Sequence, residues 1–151
     1  MLSLYPPLFF QRVRCASIGP GFRSCRMVVP KSLLTRNLNG TTFGGTIFSA
    51  ADPVYALLYW QIFAREGLAV QVWLKSARAE YLKPAASRLA LDFTLGDAEV
   101  DEARAALFRD GRFVRTYRTE ARSGSGEVCA LLDTEVYIRL PRGAQRGVSG
   151  F

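Results

Sequence analysis

Apolar positions along the 151-residue chain follow different rhythms in different stretches. Between residues 46 and 66, Ile47, Phe48, Ala50, Ala51, Val54, Tyr55, Leu57, Leu58, Trp60, Ile62 and Phe63 cover nearly every face of a helix that Gly67 ends. A helix apolar all round is expected to be buried on all sides. Elsewhere the period is two. Leu89, Leu91, Phe93 and Leu95 alternate with Arg88, Ala90, Asp92 and Thr94, which predicts a half-buried strand. Val128, Ala130, Leu132, Thr134, Val136 and Ile138 share one face of a strand over 127–140, paired as a hairpin with 112–121 around Ser123-Gly-Ser-Gly126. Residues 70–82 are long enough for a full strand, closed by Pro84. Two shorter strands, 12–18 and 22–29, flank the turn Gly19-Pro20-Gly21, a helical turn is expected over 31–36, and 37–45 is rich in turn formers. A second helix is predicted from Asp97 as cap to about residue 109. Glu99, Asp101 and Glu102 lie in its early turns, Arg109 in its last, and Gly111 stops it.

The order is two strands, one apolar helix, then four strands with a second helix between them. The economical way to bury that first helix is an α+β architecture, an antiparallel sheet wrapped around it. With 49% hydrophobic residues the chain suits one core, so residues 1–140 are expected to form a single domain and the Gly- and Arg-rich 141–151 a fraying tail. No run of eighteen apolar residues exists, so no membrane-spanning helix is expected. Residues 1–10 are apolar but lack a basic start and contain Pro6 and Pro7, which argues against a secretory signal. Residues 1–36 are basic, acid-free and contain several serines, the composition of a mitochondrial presequence.

Composition narrows the chemistry. The chain has no histidine, which removes the Ser-His-Asp triad, the Cys-His dyad and zinc sites built on imidazole. Any catalytic base is then a carboxylate, a lysine or a tyrosine. Cys15, Cys25 and Cys129 are widely spaced and odd in number, so no disulfide framework is expected and a reducing cytoplasm is the default. Twenty basic residues, seventeen of them arginine, oppose thirteen acidic ones for a net charge of +7, and none of the acidic ones precedes Asp52. Such a surface favours phosphorylated or acidic partners, and equally describes an ordinary solvated basic surface. Nucleic acid is disfavoured, because the aromatic residues lie in the apolar helix and strands rather than among arginines on one face.

Asp52 is the odd residue of the chain, the one charged side chain between Arg36 and Arg65. A carboxylate in so apolar a stretch loses hydration, which raises its proton affinity and suits it to a general-base or nucleophile role. The competing reading is structural: Asp52-Pro53 is also an N-cap followed by proline at the first helical position. If the helix instead starts near Gly45, Pro53 lies inside it at a cost of about 3 kcal/mol or a kink. Gly44-Gly45 at a helix entrance would offer free backbone N–H groups to negative charge, the equipment of an oxyanion hole, or simply turn the chain. Asn37 and Asn39 can orient a water or a carbonyl, or merely form the turn. Lys75, Tyr81 and Lys83 are nominal bases that read more simply as strand decoration.

Asn37-x-x-Gly-Thr-x-Phe-Gly-Gly-x-x-Phe-x-x-x-Asp52 resembles the loop and central helix of hotdog-fold thioesterases, which commonly read Asn-x-x-Gly-Thr-x-His-Gly-Gly with an acidic residue seven positions after the second glycine. The Asp-Pro pair, Tyr81-x-x-Pro84, the stretches Gly126-Glu-Val-x-Ala130 and Tyr137-Ile-Arg139, and Tyr5-Pro-Pro are similar to a bacterial thioesterase-like branch of unknown function. The resemblance spans about residues 4–140 and implies a hotdog fold whose N-terminus is structural rather than a presequence. It implies hydrolysis of acyl thioesters on coenzyme A or an acyl carrier protein, with no cofactor and no metal. Asp52 would activate water or attack directly, Gly44 or Gly45 would hold the oxyanion, and Asn37 the water or the carbonyl. The site would lie between the subunits of a dimer or tetramer. Phe43 would border the substrate, and Arg78, Lys83 and Arg88 would contact the carrier. Two positions depart from the pattern: Phe43 replaces the usual histidine, and Leu74 stands where some relatives have a serine. An acyl-binding or assembly module without efficient turnover is the alternative they suggest.

Overall fold

The computed structural model describes residues 5–141. Of the expected tail, all but Pro141 lies outside the described residues. The described residues open with a short helix, α1 (Pro6–Phe10), that the apolar pattern did not announce. Pro6 and Pro7 suit the first helical turn, where no N–H is needed. Leu8 and Val13 are buried, so this segment is part of the fold.

Six strands follow the predicted order: β1 (Arg14–Ile18), β2 (Ser24–Val29), β3 (Gln71–Tyr81), β4 (Leu89–Thr94), β5 (Arg112–Ser123) and β6 (Val128–Arg139). They form one sheet in the order β1-β2-β4-β5-β6-β3, and every pairing is antiparallel. The 31–36 segment holds a single 3-10 turn at Leu33–Thr35, capped by the Ser32 hydroxyl, which accepts from Leu34 N–H at 3.2 Å. The β5–β6 hairpin turns as expected, with Gly126 at a positive φ of 85°.

The apolar stretch is two consecutive helices, α2 (Gly44–Ala51) and α3 (Val54–Arg65), joined through Asp52 and Pro53. Both joining residues keep right-handed helical angles, and Asp52 N–H still donates to Phe48 O at 3.1 Å. Pro53 has no N–H to return to the preceding turn, so the helix kinks there. The helix therefore starts at the first glycine, not at Pro53. No side-chain cap bond is made by Asp52, and its capping role falls away.

Burial on all sides is also corrected. Ile47, Ala50, Val54, Leu58, Tyr59 and Phe63 sink into the concave face of the sheet, against Met27, Leu91, Phe93, Leu132 and Ile138. The opposite stripe, at Ser49, Asp52, Pro53, Ala56, Leu57 and Trp60, is only partly covered or exposed. One sheet curving past one side of a helix cannot cover the other side. The second helix, α4 (Asp97–Asp110), buries Val100, Ala103 and Leu107 and ends on Gly111 with a φ of 70°. Its cap is Gly96, not Asp97. Gly96 N–H donates to Glu99 Oε2 at 2.8 Å, while Asp97 pairs with Arg23 at 3.2 Å.

Candidate active site

Helical spacing places Ser49, Asp52, Pro53, Ala56, Leu57 and Trp60 on one stripe of the central helix. That stripe floors a cleft of about 520 Å³, walled by Tyr5, Pro7 and Leu8 at the N-terminus and by Val72 and Leu74 of β3. Asp52 is its one carboxylate. The side chain reaches solvent in the single chain, yet the apolar walls remove part of its hydration. Desolvation raises its pKa above the ordinary carboxylate value of 3.8, as the sequence position suggested. Three residues back, Ser49 Oγ donates to Gly45 O at 2.8 Å and accepts from Gln11 Nε2 at 3.3 Å. Gln11 also donates to Pro7 O at 3.0 Å, so the α1 segment is tied to the helix that floors the cleft.

The glycine entrance faces a second hollow, of about 450 Å³. Asn37, Thr41, Gly44, Tyr81, Lys83 and Pro84 are among the residues lining it. Asn37 organises its own loop: Oδ1 accepts from Asn39 N–H at 3.0 Å and Thr41 N–H at 3.1 Å, and Nδ2 donates to Thr41 Oγ1 at 2.8 Å. This is an Asx-type turn, and it accounts for both the asparagine and the threonine of the motif. Gly44 and Gly45 are the first two residues of α2, so their N–H groups have no carbonyl a turn earlier to bond. Both glycines leave room for a neighbouring ring. A Cβ on Gly44 would sit 2.8 Å from Tyr81 Cζ, and one on Gly45 would meet the Phe43 ring, so a side chain at either position would push an exposed ring aside. Phe43 itself is exposed and folds back over the helix start.

Gly45 and Asp52 are seven residues apart, nearly two turns, so they share a face but stand about 10 Å apart along the axis. Within one chain the structure therefore does not bring Asp52 together with Asn37, Gly44 and Gly45; Asp52 lines one hollow and Asn37 and Gly44 another, while Gly45 lines neither. The basic candidates differ from one another. Arg78 is paired with Glu80 at 2.6 Å, Lys83 with Glu127, and Arg88 is exposed with no ion pair among the described residues. Leu74 lies in the cleft with Asp52, so the β3 wall beside the carboxylate is apolar. Reading by residue type missed Ser49, Trp60 and Tyr5. Ser49 and Trp60 carried a signal, since they fall on the helical stripe through Asp52, whereas Tyr5 reaches the cleft only through tertiary packing.

Solved structures share this architecture at low sequence identity. A Pseudomonas aeruginosa protein of unknown function, described as a probable thioesterase, superposes with a TM-score of 0.80 at 16% identity over 89% of this chain and 87% of its own. A Haemophilus influenzae thioesterase gives 0.67 at 13% identity over 95% and 90%. The E. coli PaaI protein from the phenylacetic acid degradation operon gives 0.64 at 14% over 93% and 88%. No curated protein sequence matches the chain. The sheet wrapped around a central helix is thus the hotdog fold of these proteins, and residues 1–127 match the family described as a domain of unknown function, DUF4442, to which the chain belongs.

Proposed function

We propose that the protein hydrolyses acyl thioesters carried on coenzyme A or an acyl carrier protein, with Asp52 as the base. The observation that carries this reading is that α2 presents two kinds of group at its two ends. Free N–H donors stand at its N-terminus, and a partly desolvated carboxylate lies two turns on, on the same face and in an apolar cleft. The thioesterases among the structural relatives support it at the level of fold.

The chemistry needs a carbonyl held within about 3 Å of an oxyanion donor and near the water that Asp52 activates. About 10 Å separates the two groups in one chain, so the site is completed by a second copy. The Gly44-Gly45 entrance of one protomer would face the Asp52 cleft of its partner. Two features suit that assembly: the uncovered stripe of the central helix, and β3, an eleven-residue strand at the sheet edge with one side unpaired. Asp52 takes a proton from water as the oxygen attacks the thioester carbon. The developing oxyanion accepts from the Gly44 or Gly45 N–H. Collapse of the tetrahedral adduct breaks the C–S bond, and the thiolate leaves with a proton returned from Asp52. The apolar cleft walls would hold the acyl group, and Arg88 is the basic candidate left free for a carrier phosphate or acidic carrier surface.

Phe43 and Leu74 favour a second reading, binding of acyl thioesters without efficient turnover, because both place apolar surface where a polar group would order water. Thiol release from acetyl-, butyryl-, octanoyl- and benzoyl-CoA separates the two. Asp52→Asn is expected to lower turnover by at least ~10²-fold while acyl-CoA binding and assembly persist. Turnover unchanged in that variant removes Asp52 as the base, and binding without turnover in the wild type favours the second reading.

A further inference from the structure

Tyr81 ends β3 with its ring laid against the first residue of α2. The contact is so close that a Cβ on Gly44 would lie 2.8 Å from Cζ and 3.0 Å from the hydroxyl oxygen. The hydroxyl donates to Gly44 O at 2.9 Å. That carbonyl belongs to the same peptide group as the Gly45 N–H. A peptide is planar, so a bond that pins its oxygen also fixes the direction of its N–H. Hydrogen bonds through one amide also polarise each other: an oxygen that accepts makes the N–H at the other end a stronger donor. A tyrosine hydroxyl is protonated and donating at neutral pH, and partial desolvation moves this one's pKa further up.

We propose that Tyr81 is a positioning residue for thioester hydrolysis, orienting and polarising the Gly44–Gly45 peptide so that the Gly45 N–H meets the oxyanion. The inference rests on the thioesterase reading and deepens it. Gly44 has a matching explanation, because the bond exists only while no side chain at 44 displaces the ring. Tyr81 acts through the peptide and touches no reacting atom.

The test is Tyr81→Phe, which keeps the ring over Gly44 and removes only the hydroxyl. With the acyl-CoA panel above, kcat is expected to fall about fivefold, with KM changed less than twofold and the melting temperature lowered by no more than the few degrees that one lost, half-exposed hydrogen bond costs. In the amide NMR spectrum of the intact protein, the Gly45 N–H proton should move upfield, as its donor strength falls. A raised KM at constant kcat would make Tyr81 a substrate contact and overturn the proposal, as would unchanged kcat in an active enzyme. Wild-type protein that cleaves no member of the panel defeats the thioesterase reading instead. In that case the Gly45 resonance still decides whether Tyr81 polarises this peptide, and a resonance that stays in place overturns it.

Discussion

The central helix is docked on its sheet through aromatic rings, and the hydroxyl pair within them gives a sharp test of how that docking works. Tyr55 stacks on Tyr117 of β5 at 4.2 Å between ring centroids and meets Phe93 of β4 edge-on at 5.3 Å. One turn on, Tyr59 is fully buried and its hydroxyl is hydrogen-bonded to that of Tyr117. Burial raises the pKa of both groups, Tyr117 to about 12, so neither ionises in an ordinary assay. Tyr59→Phe removes one partner and leaves the hydroxyl of Tyr117, a residue 6% exposed, without that hydrogen bond. Tyr117→Phe does the same to Tyr59, which is 0% exposed. A stranded buried hydroxyl costs about 1–3 kcal/mol, so each single variant should lose about 2 kcal/mol. The double variant strands nothing and loses only the net worth of one hydrogen bond, about 1 kcal/mol. The two losses should therefore fall short of additivity by about 3 kcal/mol, the upper end for residues in contact. Urea unfolding at fixed protein concentration reads this directly. With a slope near ~2 kcal/mol per M, each single variant shifts the midpoint by about 1 M and the double by about half that. Additive losses would refute the account, because they would mean that the rings, not the shared hydrogen bond, carry the cost.

Two further outcomes follow from the site. The raised pKa of Asp52 means the folded protein holds that proton more tightly than the unfolded chain does. Its contribution to stability is therefore complete below the ordinary value of 3.8 and is lost as pH rises through the folded pKa. Asp52→Asn should melt higher than wild type at pH 7 and match it at pH 3, and a gap that is the same at both pH values would contradict desolvation as the cause. Sedimentation should find a dimer or larger assembly at micromolar concentration, and a stable monomer that turns over acyl-CoA would end the shared-site mechanism.

The strands and helices were legible because their signals are local. Alternation along 89–95 and 128–138 names the inward face directly, since a strand's side chains must alternate. Gly111 and Gly126 mark turns that need a positive φ, whatever surrounds them. The spacing from Gly45 to Asp52 was also visible, and with it the prospect that one helix carries both donors and carboxylate. Other features were set by packing at a distance. Asp52-Pro53 reads locally as a helix start, and only the docking of Ile47, Ala50 and Ala51 into the core makes the preceding turn helical and turns the proline into a kink. Likewise the sequence shows an all-apolar helix, but which stripe stays open depends on where the sheet ends. β3 closes the sheet on one side, and α1, itself unannounced, supplies the other wall of the Asp52 cleft. The contact of Tyr81 with Gly44 spans 37 residues of chain, so no periodicity could register it. Sequence patterns report the preferences of neighbours along the chain, whereas a site's walls are assembled by burial, which brings distant segments together because their apolar surfaces leave water.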